Sequence, residues 1–181
     1  MEQELKEAEI KPNKVAFRAA ITFSLYTLAL IFIFKLLHID SMQENMNTGT
    51  KVITTILSYV PFILAIVYAQ TKHRTDLGGY MTFARGFSTG FKVAAYTGLF
   101  VSVLLVLYYK VLDRGAMDHI LDVAIDKANG DEKQIKAIEM TRPYMAIISA
   151  FFGAITYTIF GMILSLIGAV LFKKERPLPQ G

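Results

Sequence analysis

The chain has 181 residues, 54% of them apolar and only 19% charged, and its mean hydropathy is positive. Soluble chains average roughly 25% charged residues, so this composition excludes an ordinary water-soluble domain and points to a multi-pass helical membrane protein. The net charge of +4 sits mostly beside apolar runs, no basic stretch is long enough for a nucleic-acid groove, and the lack of cysteine excludes disulfides and thiolate chemistry.

Residues 1–14 mix Glu2, Glu4, Glu7 and Glu9 with Lys6, Lys11 and Lys14, a polar start. The apolar run that follows is span-length and has no A-x-A cleavage site, so the first span is expected to stay in the mature protein. That span covers about residues 19–37. Arg18 and Lys35 stand near its ends, where their stems can snorkel to opposite headgroup layers. A polar loop, residues 38–51, leads to span two at about residues 52–69, long enough at 1.5 Å per residue for about 27 Å of helix. Pro61 in its middle removes the backbone bond to Leu57, and Thr54, Thr55 and Ser58 are near enough to help satisfy freed backbone groups. Residues 70–79, QTKHRTDLGG, read as a second loop ending in a Gly-Gly turn.

Span three, about residues 83–109, begins amphipathic. Tyr80, Phe83, Phe87 and Phe91 fall on one side, with Arg85, Ser88, Thr89 and Lys92 roughly opposite. From Val93 it is almost wholly apolar. Gly86, Gly90, Ala94 and Gly98 recur every fourth position, a stripe that lets another helix backbone approach. Residues 113–142 form the largest extramembrane piece and read as a helical hairpin. Met117, Ile120, Leu121, Ala124 and Ala128 share one face, and Asp118, Asp122 and Asp126 another. Asn129-Gly130 stops the first helix and Asp131 with Gln134 opens the second as a capping box. Its apolar sides are expected to rest on the bilayer surface or on a partner. Pro143 then sits in the first turn of span four, about residues 144–172. There Ser149, Gly153, Tyr157, Gly161, Ser165 and Ala169 recur every four residues, so spans three and four are expected to pack through their seams, inside one subunit or between two.

The 19 Lys and Arg residues set the orientation. With the N-terminus inside, Lys6, Lys11, Lys14, Arg18, Lys72, Arg74, Arg85, Lys92, Lys173, Lys174 and Arg176 face inward, leaving eight outside. Lys127, Lys133 and Lys136 among those eight lie farther from the membrane ends, where they count less. The expected fold is therefore all-α: a four-helix membrane bundle forming a single domain, with both termini inside and an amphipathic helical hairpin between spans three and four.

Gly78-Gly79-Tyr80-Met81-Thr82-Phe83 at the start of span three, the following FKVAAYTG, the charged helical insertion and the closing LSLIGAVLFKKE form an ordered set. In these features the chain, from Val15 to Lys174, resembles the bacterial "domain of unknown function 4199" family. The resemblance implies a multi-pass protein of the bacterial cytoplasmic (inner) membrane. It supplies no catalytic residues.

The candidate chemistry is thin. Asp118, Asp122 and Asp126 make an acidic ridge, but calcium needs six or more oxygens from a loop folded around it, so a solvated face is the better reading. His38, His73 and His119 lie in three polar segments on different sides and share no site. Lys92, Arg85 and Lys35 come nearest to membrane depth, yet each lies close to a span boundary, and snorkelling accounts for them. Span hydroxyls usually bond their own helix, and the tyrosines near span ends form an aromatic belt. HExxH, P-loop, GxSxG and CxxC patterns are absent from the sequence. The expected function is non-enzymatic and cofactor-free: a structural or interaction protein in the bilayer, a homo-oligomer or an accessory subunit of an envelope complex beside an unknown membrane protein. Gly86, Gly90, Ala94, Gly98, Gly153, Gly161 and Ser165 would make its helix contacts. The alternative is a small oligomeric transporter or channel for an ion or solute, with Pro61 and Lys92 near the path.

Overall fold

Apolar runs too long for a soluble core become four long helices. The computed structural model describes residues 10–39 and 46–175. The acidic start, residues 40–45 of the first polar loop, and Lys6 and Arg176 of the charge count lie outside the described residues. In chain order the elements are α1 (Asn13–Leu36), α2 (Thr48–Asp76), α3 (Phe83–Leu107) with a π-helical turn (Tyr108–Leu112), α4 (Arg114–Lys127), α5 (Glu132–Thr141), a 3-10 turn (Arg142–Tyr144) and α6 (Met145–Phe172). The helices containing α1, α2, α3 and α6 are long and apolar enough to cross a membrane. Among the described residues the sole extended pairing is an isolated antiparallel bridge between Met81 and Lys174.

The connections make the bundle alternate in direction. Asn13, at the start of α1, reaches Lys92 near the start of α3, and Lys35 at the end of α1 reaches Asp113 beyond the end of α3. Gln70 near the end of α2 meets Gly86 at the start of α3 and Ser165 near the end of α6. So α1 and α3 run one way, α2 and α6 the other. Helix α3 packs against all three neighbours. The core between them holds Ala16, Ala19, Phe23, Phe62, Ile66, Val93 and Ala94. Phe62 is fully buried at its centre, with ring centroids 5.1 Å from Phe23 and 5.3 Å from Tyr157. Offset and edge-to-face ring contacts of this kind add to dispersion where lipid gives no hydrophobic drive to association. Apolar side chains on the outer faces, such as Leu25, Leu64, Leu99 and Phe151, are exposed, the pattern of helices solvated by hydrocarbon.

Two features depart from the sequence reading. Residues 70–76 are not a loop: α2 continues through them to Asp76, about 43 Å in all, and only Gly78 and Gly79 turn the chain, at φ of +75° and +89°. The freed carbonyl below Pro61 is not served by nearby hydroxyls either. Thr54 and Thr55 donate to Lys51 O and Ser58 to Thr54 O, whereas Leu57 O accepts from the Tyr26 hydroxyl of α1 at 2.9 Å. A hydroxyl on α2 itself bonds the carbonyl three or four residues back, and the residues at that spacing from Leu57 are Val60 and Pro61, neither of which carries one.

The hairpin forms as its sequence implies. Asn129 (φ +48°) and Gly130 (φ +82°) stop α4 in the left-handed region. The Asp131 carboxylate accepts from the backbone N–H of Lys133 and Gln134, and the Gln134 amide donates back to it at 2.9 Å. Met117 and Leu121 of α4 are buried against Ala146 of α6, with Tyr109, Ile138 and Met145 around them. The apolar side of α4 is therefore covered by the chain itself. Helix α5 has no buried residue, and its Met140 is 69% exposed.

Candidate functional site

The most constrained part of the molecule is the contact between α3 and α6. A methyl group added at Gly86 would stand 3.2 Å from Ala169 Cα, and one at Gly98 would stand 2.7 Å from Ala154 O. Gly161 lies directly against Ala94, so its methyl would also meet Phe62 at 2.9 Å. The stripe Gly86, Gly90, Ala94, Gly98 thus faces Gly161, Ser165 and Ala169 within one chain. Gly153 is different, since its nearest neighbour would be Leu105 Cδ1 at 3.6 Å. The small residues allow the two backbones to touch, and dispersion between them holds the pair.

Gln70, which the sequence reading assigned to a loop, occupies a notch in this seam. It is fully buried, and its Nε2 donates to Gly86 O and to Ser165 O, both at 3.0 Å, tying α2 to α3 and α6 at once. Each helical carbonyl has a second lone pair for such a bond. The notch exists because of two glycines. A methyl at Gly90 would lie 2.8 Å from Gln70 Nε2 and 2.5 Å from Ser165 Oγ, and one at Gly168 would collide with Gln70 Oε1. Ser165 in turn donates its hydroxyl to Gly161 O at 2.5 Å. One signal in the sequence marks Gln70: Phe62, Ile66, Ala69, Gln70, His73 and Leu77 continue at helical spacing, and all are buried.

Next to the notch the loop into α3 is pinned. Met81 N donates to Lys174 O and Lys174 N to Met81 O, both at 2.9 Å, and the Lys174 ammonium sits 5.3 Å from the centroid of Tyr80. Thr82 caps α3, accepting from Arg85 N. The Gly-Gly-Tyr-Met-Thr-Phe sequence therefore closes the end of the bundle against the residue just past α6. Phe83, Phe87 and Phe91 stack in a row along the outer side of α3, with centroids 6.4 and 5.8 Å apart.

At the opposite end a polar clamp holds the hairpin. Asp113 pairs with Lys35 of α1 and accepts from the Tyr108 hydroxyl at 2.9 Å. The Lys35 hydrogen bond, aided by that from Tyr108, holds the Asp113 carboxyl below the usual carboxylate range, against partial desolvation that pushes it up. Arg142 donates one nitrogen to Asp118 at 3.1 Å and another to Asp122 at 2.7 Å. Two members of the acidic ridge thus receive a guanidinium, and no group of three potential metal ligands occurs among the described residues. Both aspartates are more than half exposed, so these pairs brace geometry more than they add stability.

The two residues assigned to a possible path lie apart from each other. Lys92 is half-buried near the start of α3 and donates to Asn13 Oδ1 at 2.8 Å. Pro61 borders a cleft between α1 and α2. His73 is 1% exposed, and His38 sits just past the end of α1.

The model of a family described as "Protein of unknown function (DUF4199)" matches residues 18–174. The chain belongs to that family. No curated protein and no solved structure matches it.

Proposed function

We propose that this family member is a non-enzymatic structural or accessory protein of the bacterial cytoplasmic membrane, with both termini inside and a partner met through surfaces outside the α3–α6 seam. One observation carries the reading: the polar groups that could have formed a reaction centre each hold helices of the chain together. Gln70 joins three helices, Asp113 joins α1 to the hairpin, Arg142 joins α4 to the start of α6, and Lys92 joins α3 to α1. The braced hairpin, with the uncovered side of α5, is then the surface offered to a second copy or to a foreign membrane protein. Brief crosslinking in the native membrane, purification in mild detergent and mass analysis test this. A stoichiometric partner that is lost when Met140→Asp is introduced is the expected result, and a bare monomer would count against it.

The transporter reading keeps one supporting observation. Gln70 Oε1, His73 Nδ1 and Thr97 Oγ1 are buried without a hydrogen-bond partner among the described residues, and buried polar atoms inside a span are often functional. That reading expects ion or solute flux in liposomes, altered by Lys92→Ala. Inert vesicles under varied gradients would remove it.

A further inference from the structure

We propose that the cleft between α1 and α2 binds one anionic phospholipid, its phosphate on Arg18 and an acyl chain lying in the cleft. The cleft has a volume of about 600 Å3, inside the roughly 300–1,000 Å3 of small-molecule sites. Its walls are mostly apolar, with the small side chains of Ala19 and Ala65 leaving the space between the helices. It has a wet end and a dry end. The wet end carries Arg18 on α1 and Tyr68 on α2, both exposed, a cation and an aromatic at one level as at a headgroup layer. At the dry end stand Pro61 and Tyr26, whose hydroxyl is held by Leu57 O.

The dimensions favour a lipid chain over a helix. From Arg18 to Tyr26 the cleft runs about 12 Å at 1.5 Å per residue, close to half of a hydrocarbon core of about 30 Å. One acyl chain in one leaflet fits that length. A second copy's crossing helix would need the whole thickness, and this cleft stops at Tyr26. The charge favours an anionic headgroup. Arg18 makes no hydrogen bond or ion pair with any described residue. Lys14 lies one helical turn before it, and a second hollow of about 300 Å3, lined by Lys14, Phe17, Arg18 and Tyr96, adjoins it on the other side. Asp76, the acidic residue at this end of α2, is already paired with Lys72 at 2.7 Å. Basic pockets between membrane helices are suited to acidic headgroups.

Native mass spectrometry of the full chain, exchanged against equimolar phosphatidylglycerol and phosphatidylcholine in detergent, tests the site. Wild type should retain one phosphatidylglycerol in preference to phosphatidylcholine, by about fivefold for a single cation at the surface. Arg18→Gln should bring the two lipids to parity. Ala65→Phe, which fills the cleft, should reduce retention of both. Thr22→Phe fills it from the other wall and covers the case in which the first variant does not fold. Lys51→Gln, at the far end of α2, should retain lipid as wild type does. Equal retention of the two lipids by wild type, or unchanged preference in Arg18→Gln, overturns the proposal. So does a protein dimer that either cleft-filling variant abolishes, because a second copy would then be the occupant.

Discussion

Gly168 and Gly153 belong to the same helix, yet an added methyl group would meet different surroundings at each. At Gly168 it would collide with Gln70 Oε1, an atom fixed by the two bonds its amide makes, whereas at Gly153 the nearest atom is Leu105 Cδ1 at 3.6 Å. Overpacking of a filled site costs about 1–3 kcal/mol, while replacing a helix glycine by alanine in open space gains up to about 1 kcal/mol. Gly168→Ala should therefore lower the midpoint of detergent-induced unfolding, followed by circular dichroism, and Gly153→Ala should leave it level or raise it. The double variant Gly168→Ala/Gln70→Ala should recover part of the loss, because removal of the amide empties the space the methyl needs. If Gln70→Ala and Gly168→Ala simply add, the notch does not couple them.

At the scale of elements, α2 owes its continuity to a group on another helix. Tyr26→Phe removes the donor to Leu57 O and should destabilise the bundle by about 1 kcal/mol, the size of one interhelical hydrogen bond in a membrane. With Pro61→Ala the backbone N–H at position 61 can serve that carbonyl, so Tyr26→Phe in that background should be close to neutral. A double-mutant cycle reads the difference, and equal effects in both backgrounds would mean that the hydroxyl does not stand in for the missing bond. The hairpin clamp has its own signature in pH. Because Asp113 is held below its ordinary pKa, chiefly by Lys35, its contribution is complete above about pH 4 and is lost as pH falls through the depressed folded value. The protection of backbone amides around residues 108–114, taken relative to their intrinsic exchange rate at each pH, should fall on acidification below about pH 4, and Asp113→Asn should abolish that acid-dependent step.

For the whole molecule, what the sequence made legible follows from physics that acts locally. Span-length apolar runs, the Asn129-Gly130 stop, the Asp131 cap and the every-fourth stripes each depend on a few neighbouring residues, and the helices and hairpin follow them. What stayed hidden depends on residues far apart in the chain. Gln70 looks like the first polar residue of a loop until Gly90 and Gly168 are placed beside it, and nothing near Pro61 announces Tyr26, which lies 31 residues along the chain from the Leu57 it serves. The cover that α6 gives to α4 is hidden in the same way. The orientation in the membrane is set by neither kind of contact, because it depends on where Lys and Arg meet the bilayer. The bundle puts the start of α1 and the residues past α6 at one end and the hairpin at the other. Since the chain has no cysteine, single substitutions can report each end without background. The positive-inside count predicts that Lys133→Cys reacts with a membrane-impermeant maleimide on intact spheroplasts, while Glu175→Cys reacts only after the membrane is opened. The reverse pattern would invert the protein, moving the hairpin, and any partner it meets, to the cytoplasmic side.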